Sequence, residues 1–122
     1  MQDSPTPMIP ATTTPSKLLA YLMRVRRDTQ AGRLGMHIGE PNVDRFQGLI
    51  TGYQMCQLDQ GVDDVEYGQF REWLRDKGEF PTEGWEAKYL RDCGGDPEQA
   101  IRKYLDFVAE FLAWYRKEPA GK

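Results

Sequence analysis

The stretch Asp96-Pro97-Glu98-Gln99-Ala100-Ile101-Arg102-Lys103-Tyr104-Leu105-Asp106-Phe107-Val108-Ala109-Glu110-Phe111-Leu112-Ala113-Trp114-Tyr115 decides the fold. Asp96 suits an N-cap, and Pro97 has a fixed φ that fits the first helical position. Gln99 stands where a capping box returns a side-chain bond to the cap. Ile101, Tyr104, Leu105, Val108, Phe111, Leu112 and Tyr115 then recur at three- and four-residue spacing, the period of a helix with one buried face. Phe107 and Trp114 widen that stripe. A helix this apolar on one side needs other elements around it, so it is expected near the centre of a bundle.

Working outward, the same period returns three more times. Ser16 can cap a first helix to about Asp28, with Leu18, Leu19, Leu22 and Val25 inward. Asn42 can cap a second, in which Val43, Phe46, Leu49, Ile50, Tyr53 and Cys56 form the stripe and Gly61 follows the end. Asp63 or Asp64 opens a third, with Tyr67, Phe70, Trp73 and Leu74 on one face and Gly78 as its stop. A short fourth helix is expected from Pro81-Thr82, carrying Trp85, Tyr89, Leu90 and Cys93 before Gly94-Gly95. No alternating β-branched run bounded by hairpin turns occurs. The chain therefore predicts an all-α single-domain bundle of about five helices over residues 16–118. Residues 1–15, with four prolines and four threonines, predict a disordered or extended N-terminal arm, and 119–122 a flexible C-terminus.

Bulk properties narrow the function. A length of 122 residues supports one core without staples. With 16 basic and 19 acidic side chains, the net charge of -3 argues against broad nucleic-acid binding. Cys56 and Cys93 are expected as buried thiols, since free cysteine packs as a small hydrophobe. The single histidine and scattered ligands make no zinc site, so neither metal nor cofactor is expected. Apolar runs fall far short of the ~20 residues that span a bilayer, and no secretory signal is visible. A cytoplasmic protein without membrane attachment is the expectation.

Between the first two helices lies Arg33-Leu34-Gly35-Met36-His37-Ile38-Gly39-Glu40, a glycine-punctuated connector. It lacks the Gly-Lys-Ser/Thr and leading strand of a phosphate loop. His37 has no serine or cysteine nucleophile in a familiar arrangement, so no catalytic residue is assigned. Leu34, Met36 and Ile38 are expected to pin the connector to the bundle. Carboxylates gather at Asp63, Asp64 and Glu66, with Glu83 in the next connector; they can act as helix caps or as an acidic rim for a partner. Among the three tryptophans, Trp85 is the expected exposed anchor and Trp73 the expected core residue. Asp63, Asp64, Glu66, Glu83 and Trp85, together with His37 and Glu40, form the expected partner-binding set.

The connector resembles the Arg-Pro-Gly-Met-Tyr-Leu-Gly segment of a group of small, uncharacterised bacterial all-helical proteins. Phe46, Leu49, Gly52 and Tyr53 resemble the helix that follows it there, as do Phe70-Arg71-Glu72-Trp73-Leu74, Gly84-Trp85 and Gly94-Gly95-Asp96 further on. Leu34 replaces that segment's proline and His37 its tyrosine. Type II topoisomerase ATPase domains carry a similar segment, but their further glycine-rich nucleotide loops are missing from this sequence. The resemblance implies an immunity-type protein: a non-enzymatic helical inhibitor whose partner is a secreted toxin domain. A regulatory or adaptor module binding a host protein is the second expectation, and a small enzyme using His37 the third.

Overall fold

The computed structural model describes residues 14–116, which form six helices and no strand. They are α1 (Lys17–Gln30), α2 (Gly35–Ile38), α3 (Val43–Asp59), α4 (Val65–Asp76), α5 (Trp85–Asp92) and α6 (Pro97–Tyr115). The chain is thus an all-α bundle. The expected N-terminal arm falls outside the described residues over positions 1–13, as does the expected C-terminal tail.

Each long helix starts where a side-chain oxygen can take an orphan N–H. Ser16 Oγ accepts from Leu19 N–H at 3.0 Å, and Asn42 Oδ1 from Arg45 N–H at 2.9 Å. Asp64, rather than Asp63, caps α4 by accepting from Tyr67 N–H at 3.0 Å. Asp96 Oδ1 accepts from both Glu98 and Gln99 N–H. The return bond expected from Gln99 is not made, because the Asp96 N–H donates to the Cys93 carbonyl.

Three boundaries differ from the periodicity. α1 runs to Gln30 because Thr29 is buried and donates its hydroxyl to the Val25 carbonyl at 2.7 Å. The glycine connector contains the one-turn helix α2, giving six helices instead of five. α5 begins at Trp85 and not at Pro81, because Gly84 holds φ 99° and closes a turn with the Pro81 carbonyl.

α6 packs against α1, α3, α4 and α5 and is the centre of the bundle. Tyr104 is buried among other rings, its own 5.6 Å from Phe46, 5.6 Å from Phe70 and 4.7 Å from Trp85. Aromatic pairs at such separations add to what area burial contributes. Around them the fully buried Leu18, Leu22, Ile50, Leu74, Ile101 and Val108 close the core.

Candidate protein-binding surface

α3 buries Val43, Phe46, Ile50 and Gln57. At about 100° per residue, Met55 lies about 180° from Phe46 around the helix, and Leu58 about 120° away. Both side chains are therefore left outside, 53% and 67% exposed. The chain then turns through Gly61 and presents Val62 and Val65, each 46% exposed. Met55, Leu58 and Val62 thus border one hollow at the corner between α3 and α4, with Val65 exposed at the start of α4. Contiguous apolar exposure of this kind marks an interaction surface more often than isolated residues do.

Two hollows flank the corner. One, of about 480 Å³, lies against Pro15, Lys17, Tyr53 and Cys56; the other, of about 380 Å³, against Met55, Leu58, Tyr67 and Arg71. Gln57, Val62, Asp63 and Asp64 form the ridge between them. Asp64 is fixed there: its Oδ2 accepts from Ser16 Oγ at 2.7 Å and from Gln57 Nε2 at 3.1 Å. Asp63 beside it is exposed. The ridge thus carries one tethered and one exposed carboxylate, with exposed Met55, Leu58 and Val62 beside them.

The other expected contacts do not converge on this ridge. Glu66 is buried, 3% exposed, and belongs to the interior. Its Oε1 accepts from the Ser16 N–H at 2.7 Å, and the Arg116 guanidinium holds both of its oxygens. Burial pushes this carboxyl up, but the guanidinium and the Ser16 N–H outweigh it and hold it below the ordinary value. Glu83 is exposed ahead of α5 and is bridged by Arg91, whose bonds lower its affinity for a proton. Trp85 is not an exposed anchor: it is 1% exposed, with its indole N–H donating to Gln47 Oε1 at 2.7 Å. The exposed tryptophan is Trp114, at 55%, while Trp73 is half-buried against the core.

The cysteines and the connector also depart from expectation. Cys56 is exposed and Cys93 half-buried, both as free thiols. Cys56 lies about 80° from Phe46 around α3, at the edge of the buried stripe and not within it. Leu34 and Ile38 do pin the connector, whereas Met36 is 69% exposed.

His37 is held from both sides. Its Nε2 lies 2.8 Å from Asp28 Oδ2, and its Nδ1 2.8 Å from the Tyr21 hydroxyl. The bond from His37 keeps the Asp28 carboxyl below its usual value, so Asp28 is an ionised acceptor and Nε2 carries a proton. In the neutral imidazole, Tyr21 O–H then donates to Nδ1. Burial raises the Tyr21 hydroxyl above its ordinary value, which opposes a phenolate there. The Tyr21 ring stacks on Tyr53, 5.8 Å between centroids, so the cluster ties α1, α2 and α3 together. Glu40 is exposed just beyond it.

The sharp bend after His37 depends on Gly39. Its φ of 86° and ψ of -78° make a three-residue γ-turn in which Glu40 N–H donates to the Ile38 carbonyl at 3.1 Å. Arg45 Nη1 donates to the same carbonyl at 2.9 Å. A Cβ on residue 39 would sit 2.8 Å from that Nη1 and would push the Arg45 side-chain tip aside, but it is the positive φ that calls for glycine.

Among the described residues no three or more His, Cys, Asp and Glu side chains are grouped to hold a metal ion, and no helix is long and apolar enough to cross a membrane. No protein-family model matches the chain, and no curated protein or solved structure matches it.

Proposed function

We propose that this chain is a non-enzymatic protein-binding inhibitor of the immunity type, acting in the cytoplasm to occlude the active site of a cognate toxin domain. The observation that carries this reading is the α3–α4 corner, where Met55, Leu58, Val62 and Val65 are exposed around the fixed Asp64 and the free-standing Asp63. Apolar anchors give affinity, and a carboxylate crest selects a basic partner surface and speeds encounter. The likeness of the glycine connector to bacterial immunity-type helical proteins supports the same reading. Occlusion needs no chemistry from the inhibitor, only a preformed surface.

Co-expression of the full chain with the product of a neighbouring toxin gene tests this. Protection of the cells and a stable complex are expected, and Met55→Asp with Leu58→Asp should abolish both while leaving the helical circular dichroism intact. Lack of both protection and complex for the unmodified chain overturns the proposal. A complex with a host protein in place of a toxin would favour the adaptor reading, which uses the same corner.

Among the described residues, the Tyr21–His37–Asp28 cluster is the arrangement that favours an enzyme. It is a relay in which Asp28 orients the ring and His37 faces a hydroxyl. The two hollows at the α3–α4 corner are lined by other residues. A His37→Ala chain that still protects cells would remove this reading.

A further inference from the structure

α6 carries an aromatic surface that the α3–α4 corner does not use. Trp114 is 55% exposed although Phe111 and Tyr115 beside it are buried. The Phe111 ring lies 5.5 Å from Trp73, 6.1 Å from Trp114 and 4.8 Å from Tyr115. Trp73 and Trp114 border a hollow of about 120 Å³ between α4 and α6, with the buried Phe111 and Tyr115 at its back. Its α4 wall adds Glu72 and Asp76. Glu72 is bridged by Arg75, but Asp76 has no ion-pair partner among the described residues.

Ring faces carry negative potential and attract cations, and nearby carboxylates reinforce that attraction. The same cluster already displays this chemistry within the chain. Lys77 Nζ stands 4.8 Å from the Trp73 ring centroid and 3.6 Å from Glu110 Oε2. A small hollow walled by rings and edged with carboxylates selects a weakly hydrated cation, whose methyl groups pack on the rings while its charge meets the acids. A metal ion would find too few oxygens there. An inorganic anion would be repelled.

We infer that the Trp73–Trp114 hollow binds an alkylammonium group, either a free quaternary ammonium or the methylated side chain of a lysine. The site stands independently of the proposed inhibitor role, because it draws on the later part of α4 and the end of α6.

Titration of the full chain, followed through its indole N–H signals by NMR, tests the site. The Trp114 signal is assigned by its disappearance in Trp114→Phe. Choline and an N-acetyl trimethyl-lysine amide are the two cationic probes, and 3,3-dimethylbutanol is the neutral isostere of choline. A saturable shift of the Trp114 signal with either cation is expected, with the neutral isostere at least about threefold weaker. Whichever cation binds more tightly identifies the source of the group. Trp114→Ala should remove the saturable response at the Trp73 signal, and Asp76→Asn should weaken the cations while sparing the neutral probe. Equal binding of the neutral isostere, or no saturable shift with either cation, overturns the inference.

Discussion

The Arg116 guanidinium donates to both oxygens of Glu66, from Nε at 2.9 Å and from Nη2 at 2.8 Å, and so joins the end of α6 to the first turn of α4. Each charge also suits its helix, since the dipole favours an anion at an N-terminus and a cation at a C-terminus. Glu66 accepts from the Ser16 N–H as well, so one carboxylate clasps three helices. Removing it takes away the acceptor of the Ser16 N–H and two charge-assisted bonds from the Arg116 guanidinium. Breaking a fully buried pair costs about 3–5 kcal/mol, and the partial exposure of Arg116 reduces this, so Glu66→Ala should destabilise by about 2–3 kcal/mol. Urea unfolding by circular dichroism measures it. A loss under about 0.5 kcal/mol, typical of a surface site, would reject the clasp.

Acid should weaken the fold through carboxylates held in their ionised form. Asp92, bridged by Lys103 and Lys88, titrates at about 2 in place of its ordinary 3.8. A carboxyl lowered in the folded state contributes stability that is fully present above its unfolded value. That contribution disappears as pH falls from about 4 towards about 2. Glu66 and Asp28 are shifted in the same direction and add to the loss. Asp92→Asn should therefore flatten the dependence of the urea midpoint on pH below about 4. Because Asp92 is on the surface, most of its share should vanish in 1 M salt, where the Debye length is about 3 Å.

The two tryptophans that exchanged expectations give opposite forecasts. Trp85 is enclosed by Phe46, Tyr89 and Tyr104, so Trp85→Ala should cost about 3–5 kcal/mol. Trp114→Ala should stay within about 1 kcal/mol, since half of its surface already meets water. Thermal unfolding of the two variants compares them directly. Equal losses would contradict the burial pattern.

Why the sequence misassigned these two residues is physical. Periodicity identified most of the buried stripe of each long helix, Cys56 and Trp114 excepted, and the Ser16, Asn42 and Asp96 caps, because those features depend mainly on neighbours along the chain. Trp85 follows a loop turn, so its direction is set by Gly84 at φ 99° and by the Gln47 acceptor, 38 residues away. Glu66 sits at an ordinary acidic first-turn position, and only Arg116 and Ser16, distant in sequence, make it interior. The α3–α4 corner was legible in part. Met55 and Leu58 stand off the α3 stripe as apolar residues with nothing to bury against, whereas the hollows beside them arise only when α4 folds back.

Gly39→Ala isolates the role of the connector. The alanine must adopt a strained φ and displace Arg45 from the Ile38 carbonyl, at a cost of about 1–3 kcal/mol. Because α2 holds His37 against Asp28 and Tyr21, the effect should reach that cluster. A shift of the His37 ring signals in NMR, alongside a lowered unfolding midpoint, is the expected pair of observations. An unchanged His37 environment would show that α2 is held by Leu34 and Ile38 alone.

At the centre of the bundle the hydroxyls of Tyr67 and Tyr104 meet at 2.7 Å, both buried. Burial raises both well clear of ionisation at neutral pH, so the contact is between neutral groups. A neutral hydrogen bond contributes only about 1 kcal/mol net, but leaving one buried partner unpaired costs about 1–3 kcal/mol. Tyr104→Phe and Tyr67→Phe should therefore each destabilise, because either leaves a hydroxyl facing rings. The double variant should not show the sum. With both hydroxyls gone the cavity becomes wholly apolar, and replacement of both partners can be close to neutral. A double-mutant cycle on urea midpoints should give a coupling of about 1 kcal/mol or more. Strict additivity would mean that the two hydroxyls do not depend on each other and that other groups satisfy them.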